Sequence, residues 1–251
     1  MTAPHRQLVV IPTYNEAENL PPLAGAILAL GADFHILVVD DNSPDGTGAI
    51  ADDLARVHPE VHVLHRQAKL GLGPAYIAGF EWALAEKYDY VFEMDCDFSH
   101  DPSALPQFLT EIQSADLVIG SRYVKGGSTP DWSLKRRIIS RGGNLVSRTM
   151  LRLKTHDCTG GFRCYRSDLL GKIPWYDICA RGYGFQVAAV FYAERLGARI
   201  REFPITFRDR RVGESKMSAG IVKEALTCVT ELAIQDIRGC PSLKSCRQVT
   251  T

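Results

Sequence analysis

Residues 34–46 read Phe-His-Ile-Leu-Val-Val-Asp-Asp-Asn-Ser-Pro-Asp-Gly. Ile36, Leu37, Val38 and Val39 follow one another without alternation, the pattern of a strand covered on both faces, and the run ends in two carboxylates and a turn. A helical pattern, Thr47 to Val57, comes next. Working outward, Gln7 to Ile11 is followed by a helical pattern from Glu16 to Leu30. Downstream, Val61 to His65 leads to Gly73 to Lys87 and then to Tyr90 to Met94. Four strands alternate with three helices, which predicts an α/β domain on a mostly parallel sheet. Such sheets bind ligands outside the carboxyl ends of their strands. The informative segments are therefore Pro12 to Glu16, Asp40 to Ser43, Arg66 to Gly73 and Asp95 to Asp97.

The rest of the chain is less regular. Ala115 to Ile119 reads as a strand, and Gly126, Gly127 and Pro130 precede a basic amphipathic stretch from Lys135 to Lys154. Tyr183 to Leu196 reads as a helix, Arg199 to Phe207 as a strand and Ser218 to Ile237 as a helix with one apolar face. No linker or repeat divides the 251 residues, so the expectation is one domain over 1–238, with a C-terminal helical addition and a flexible tail over 239–251. Lys and Arg equal Asp and Glu at 29 each, so overall charge gives no argument for nucleic acid, and an anionic ligand needs a local patch. No segment approaches the ~20 apolar residues of a membrane span. The seven cysteines contain no Cys-x-x-Cys pair, which fits reduced thiols in the cytoplasm.

Asp95-Cys96-Asp97 at a strand end sets two carboxylates within reach of one hard cation, Mg²⁺ or Mn²⁺, of the kind that clamps a diphosphate. Alone the motif is common; its place in the topology gives it weight, and Ser99 and His100 are polar neighbours. Asp41 begins a segment resembling a calcium loop, with Asp52 at its twelfth position. The preceding strand, the internal Pro44 and the missing bidentate Glu exclude that reading. A tight turn capped by Ser43, Asp45 or Thr47 fits better, holding Asp41 toward a base or ribose. Lys69-Leu70-Gly71-Leu72-Gly73 presents a cation and free N–H groups before a helix, but satisfies neither the dinucleotide nor the P-loop fingerprint. Seven cations between Lys135 and Lys154 with no acid among them suit an anionic membrane surface or phosphate, and Arg208 to Lys216 is a second basic cluster.

Taken in order, VIPTYNEAENL (Val10–Leu20), VDDNSPDGT (Val39–Thr47), KLGLGPAYIAG (Lys69–Gly79), MDCDFSHDP (Met94–Pro102), GSRYVKGG (Gly120–Gly127), DCTGGFRCYR (Asp157–Arg166), GYGFQ (Gly182–Gln186) and GESKM (Gly213–Met217) resemble the family 2 glycosyltransferases of GT-A fold. Within that family SHDP, GSRYVKGG, SLKRRIISR and GESK resemble the dolichol-phosphate or polyprenol-phosphate mannosyltransferases.

The resemblance implies transfer of mannose from GDP-mannose to a dolichyl or other polyprenyl phosphate, with inversion. On the donor side, Pro12, Tyr14, Glu16, Val39 and Asp41 would hold the guanosine, and Arg210 and Lys216 the diphosphate. Asp95 and Asp97 would ligate the metal, with Ser99 as third side chain and Cys96 contributing backbone. Arg122, Arg136 and Ser140 would bind the acceptor phosphate, and Asp97 and Arg122 would act at the reacting centre. Family members with C-terminal membrane spans differ from this sequence, so the resemblance implies peripheral attachment on the cytosolic face (endoplasmic reticulum or bacterial plasma membrane) or a small membrane-anchoring subunit. The rival readings are a UDP-glucose enzyme and an inactive nucleotide-binding subunit; the intact Asp95 and Asp97 pair argues against the second.

Overall fold

The computed structural model describes residues 5–31, 33–178, 182–209 and 219–238, without the side chains of 183 and 219–223. The tail over 239–251, Arg210 and Lys216 lie outside the described residues. The strands are β1 (Gln7–Thr13), β2 (Phe34–Asp40), β3 (Val61–His65), β4 (Tyr90–Glu93), β5 (Leu117–Ser121), β6 (Arg163–Arg166) and β7 (Ile200–Pro204). The helices are α1 (Leu20–Leu28), α2 (Thr47–Val57), α3 (Leu72–Ala85), α4 (Leu105–Glu111), α5 (Leu134–Leu151), α6 (Ser167–Leu170), α7 (Tyr183–Arg195) and α8 (Ala219–Arg238). No helix among the described residues is long and apolar enough to cross a membrane.

The seven strands form one sheet in the order β3-β2-β1-β4-β6-β5-β7, and only β6 runs antiparallel to its neighbours. The expected alternation is present, and successive residues of one strand feed opposite faces of the sheet. Leu8 and Val10 of β1 join a core with α3, α7 and α8, whereas Val9 and Ile11 join one with α1, α2 and α4. Burial on both faces explains the unbroken apolar runs. Gly79 lets α3 lie close on the sheet, since a Cβ there would stand 2.4 Å from Val10 Cγ1. That approach brings Lys69–Leu72 over the carboxyl ends of β1 and β2.

Several elements depart from the sequence reading, which has no helix at α4 or α6. α1 begins at Leu20 rather than Glu16 because Pro21 and Pro22 occupy its first turn, where missing N–H groups do no harm. α5 is capped by Ser133 and stops at Arg152, whose left-handed backbone (φ 52°) turns the chain before Lys154. β6 was not anticipated as a strand.

Candidate active site

The loops after β1, β2 and β4 open into one cavity of about 420 Å³. Pro12, Tyr14 and Glu16 line it from the β1 loop, Asp41 from the β2 loop, and Asp95, Cys96, Asp97 and His100 from the β4 loop. Lys69, Gly71 and Leu72 form a further wall, and Arg122, Trp132, Arg136, Thr159 and Phe207 close the far side.

The β1 and β2 loops are fixed by acids that bond within them. Asp40 accepts from Thr13 Oγ1 at 3.0 Å and from Ser43 Oγ at 2.5 Å. Asp45 accepts from Thr47 N at 3.0 Å, and Ser43 Oγ, Thr47 Oγ1 and Asp45 accept from Asn15 N, Glu16 N and Ala17 N, so all three tie the two loops together. Asn15 and Asn42 take the left-handed conformation (φ 60° and 58°) that asparagine tolerates. Asp41 is then presented to the cavity and meets Arg66 Nη1 at 2.5 Å. Burial raises its carboxyl above the ordinary value, against the pull of Arg66. Lys69 Nζ sits 3.7 Å from the Tyr14 ring centroid, a cation–π contact at the mouth.

The β4 loop is wound more tightly. Phe98 has φ 58°, a strained conformation for an aromatic residue that costs on the order of 1–3 kcal/mol. Ser99 N donates to Asp97 Oδ1 at 3.0 Å, holding the turn that directs Asp97 into the cavity. Tyr76 Oη donates to Asp95 Oδ1 at 3.4 Å. His100 Nδ1 accepts from Asp95 N at 3.2 Å, so its hydrogen lies on Nε2, and its ring stacks on Phe162 at 4.8 Å. Burial pushes this imidazole down to about 4, neutral at physiological pH.

The far wall is organised by Asp157, a residue the sequence reading passed over. It accepts from Arg122 N and Nε at 2.9 and 2.8 Å and from Arg122 Nη2 at 2.7 Å. Burial would raise the Asp157 carboxyl, but the charge and hydrogen bonds of Arg122 outweigh it and hold it below the ordinary value. Arg136 lies 4.2 Å over the Trp132 ring and pairs with Asp209. Beneath the floor, Gln186 Nε2 donates to the fully buried Glu93 at 2.7 Å, and Tyr165 Oη donates to it at 3.1 Å.

Three expected residues are not in this wall. Val39 packs its side chain into the core between β2 and α3 because its position in β2 points that way. Ser140 bonds Tyr123 Oη at 2.6 Å. Ser99 Oγ is buried with no hydrogen-bond partner beside the Asp97 turn.

Five carboxylates (Glu16, Asp41, Asp95, Asp97 and Glu224) share the cavity with the cations Lys69, Arg122 and Arg136. Among the described residues no cluster of three or more His, Cys, Asp or Glu forms a protein-only metal cage. Two aspartates on a short turn suit a Mg²⁺ or Mn²⁺ ion that takes its remaining oxygens from phosphate and water, the usual habit of such ions at phosphate sites.

Glycosyl transferase family 2 matches residues 8–173. An undecaprenyl-phosphate mannosyltransferase from Micrococcus luteus is 53% identical over 225 residues, 90% of this chain and 93% of that protein. A polyprenol monophosphomannose synthase from Mycolicibacterium smegmatis is 47% identical over 232 residues, 92% of this chain and 88% of that one. Among solved structures, glucosyl-3-phosphoglycerate synthase from Mycobacterium tuberculosis, in complex with Mn²⁺, uridine diphosphate and glucosyl-3-phosphoglycerate, has a TM-score of 0.63 at 19% identity. The match covers 95% of this chain and 81% of that one.

Proposed function

The chain belongs to glycosyl transferase family 2, and from that premise we propose that it transfers mannose from GDP-mannose to the phosphate of a polyprenol. The observation that carries the reading is the polarity of the first cavity. Nucleotide-type loops and the Asp95 and Asp97 turn stand on one side, and Arg122 and Arg136 stand on the other. The names of the two close relatives support the mannosyl and polyprenyl-phosphate parts.

In this reading Pro12, Tyr14, Glu16 and Asp41 hold the nucleoside. Asp95 and Asp97 hold the cation, with the orphaned Ser99 Oγ close by in the same turn. When bound, that ion supplies a Lewis acid for the charge growing on the departing diphosphate. The anomeric C1–O bond to GDP breaks and a C1–O bond to a phosphate oxygen of the lipid forms on the opposite face, leaving GDP. A phosphate monoester is already anionic at neutral pH, so the attack requires no strong general base. It requires cations that hold two anions together. Arg136, stacked on Trp132, is aimed for that purpose, and Arg122 is kept in place by Asp157. Val39 contributes through backbone, Ser140 through Tyr123, and Arg210 and Lys216 from outside the described residues.

The acceptor resides in a bilayer. α5 exposes Leu134, Ile138, Leu145 and Met150 among its cations, which supports peripheral attachment to a membrane, in this reading at the cytosolic face with or without an anchoring subunit. The test is to incubate the purified chain with Mn²⁺, a polyprenyl phosphate and either GDP-mannose or UDP-glucose. Mannosyl-lipid formed from GDP-mannose alone is expected. Glucosyl transfer would replace the donor assignment, and binding of nucleotide without transfer to lipid would overturn the reading.

A further inference from the structure

The loop after β5 folds back on itself. Gly127 N donates to Val124 O at 2.9 Å, and a Cβ at position 127 would stand 2.6 Å from Ser121 O, so only glycine closes the turn this tightly. Between this turn and α5 lies a second cavity of about 430 Å³. Its basic residues are Arg122, Lys125, Arg141, Arg148 and His156, and its wall contains no carboxylate. Arg122 is engaged by Asp157, and His156 Nδ1 meets Glu202 Oε2 at 3.0 Å. Lys125, Arg141 and Arg148 form no ion pair among the described residues. The Nε–H of Arg148 is buried with no acceptor.

Three uncompensated cations and an orphaned donor in a concavity fit a phosphate, whose oxygens accept from guanidinium groups at several points. The rim says what the phosphate is attached to. Ile138, Arg141, Leu145 and Arg148 are spaced three and four residues apart on α5 and so share one face. Ile138 and Leu145 are 62% and 63% exposed beside the two arginines. Phosphate contacts bordered by exposed aliphatic side chains match the junction of a headgroup and its acyl chains.

We infer that this cavity seats the phosphate of an anionic bilayer phospholipid, with the lipid chains against Ile138 and Leu145. The site adjoins the proposed acceptor residues Arg122 and Tyr123 but takes its free cations from Lys125, Arg141 and Arg148, and its occupancy is read without donor or turnover.

The experiment measures co-sedimentation of the full chain with phosphatidylglycerol vesicles and with phosphatidylcholine vesicles, with no nucleotide sugar. Arg141→Gln/Arg148→Gln is compared with Lys135→Gln/Arg152→Gln, which removes the same charge from α5 and its C-cap, outside the cavity. The cavity variant should lose roughly tenfold or more in apparent affinity for phosphatidylglycerol, the control variant clearly less, and both should keep the wild-type Tm. Equal losses would mean diffuse attraction and overturn the site. Inorganic phosphate that binds in an Arg148-dependent way, while vesicle binding ignores Arg148, would make this a free-phosphate site and overturn the lipid. A rise in KM for a short-chain soluble polyprenyl phosphate in the cavity variant would assign the cavity to the acceptor and equally overturn it.

Discussion

The two cavities have almost the same volume and share Arg122, yet one has carboxylates in its wall and the other has none. In the proposed reading the carboxylates of the first cavity call for a divalent cation beside a diphosphate. The basic cavity needs no such intermediary. What separates them is how the sequence disposes of its acids. In the β1, β2 and β4 loops, acids bond to local N–H and O–H groups and hold a shape, whereas Asp157 and Glu202, beside the second cavity, are engaged by Arg122 and His156.

The most severe way to break the comparison is at the residue that serves both walls. Asp157→Ala removes the carboxylate that accepts three hydrogen bonds from the buried Arg122, which should cost about 3–5 kcal/mol, or roughly 10 °C in Tm. Calorimetry checks this, and an unchanged Tm would mean that Arg122 is not held by this pair. The second way addresses the first cavity alone. Asp97→Asn should lower mannosyl transfer by about 10²–10³-fold while vesicle binding and Tm stay as in the wild type. Full turnover with Mn²⁺ would remove Asp97 from the metal site.

A third variant sharpens the contrast from the opposite side. Gly127→Ala forces a Cβ against Ser121 O and should cost about 1–3 kcal/mol, weakening phosphatidylglycerol binding with GDP-mannose affinity retained. Loss of donor affinity of the same size would show that the turn supports both cavities. The smallest effect belongs to neither. His35 Nδ1 lies 3.2 Å from His62 Nε2, and both imidazoles are lowered by burial, His35 further by Arg6 and His62 further by His35. The folded pair resists protonation that the unfolded chain accepts, so its stability is complete above pH 6.5 and declines as the pH falls through that value. Tm should therefore drop modestly from pH 7 to pH 5, less steeply in His62→Gln. A steeper drop in that variant would reverse the sign assigned to the pair.

The parallel half of the sheet was legible because its strands announce themselves by unbroken apolar runs, and the loops that follow could be read for carboxylates on topology alone. β6 was not legible. Arg163 and Arg166 bound a strand of four residues, and charged ends read as surface although Arg163 is fully buried. The role of Asp157 was hidden for the same reason: it sits in a loop in sequence and on Arg122 in space, 35 residues away. Charge pattern alone did not distinguish the α5 cations; only the family resemblance singled out Arg136. Arg137 donates to Thr129 O and Pro130 O and clamps a loop, Arg136 faces the first cavity, and Arg141 and Arg148 face the second.

The antiparallel insertion of β6 bears on how the chain finds its strand order. β5 follows β4 in sequence, and direct pairing of the two would make a continuous parallel sheet. Such a sheet would enclose Glu93 against Leu117–Ser121, which has no cation, and a carboxylate buried without a partner is penalised by several kcal/mol. In the native register Glu93 stands opposite Arg163, and Tyr165 and Gln186 satisfy its oxygens. One buried acid thus works as an address, excluding the nearer strand and admitting one that is synthesised some seventy residues later.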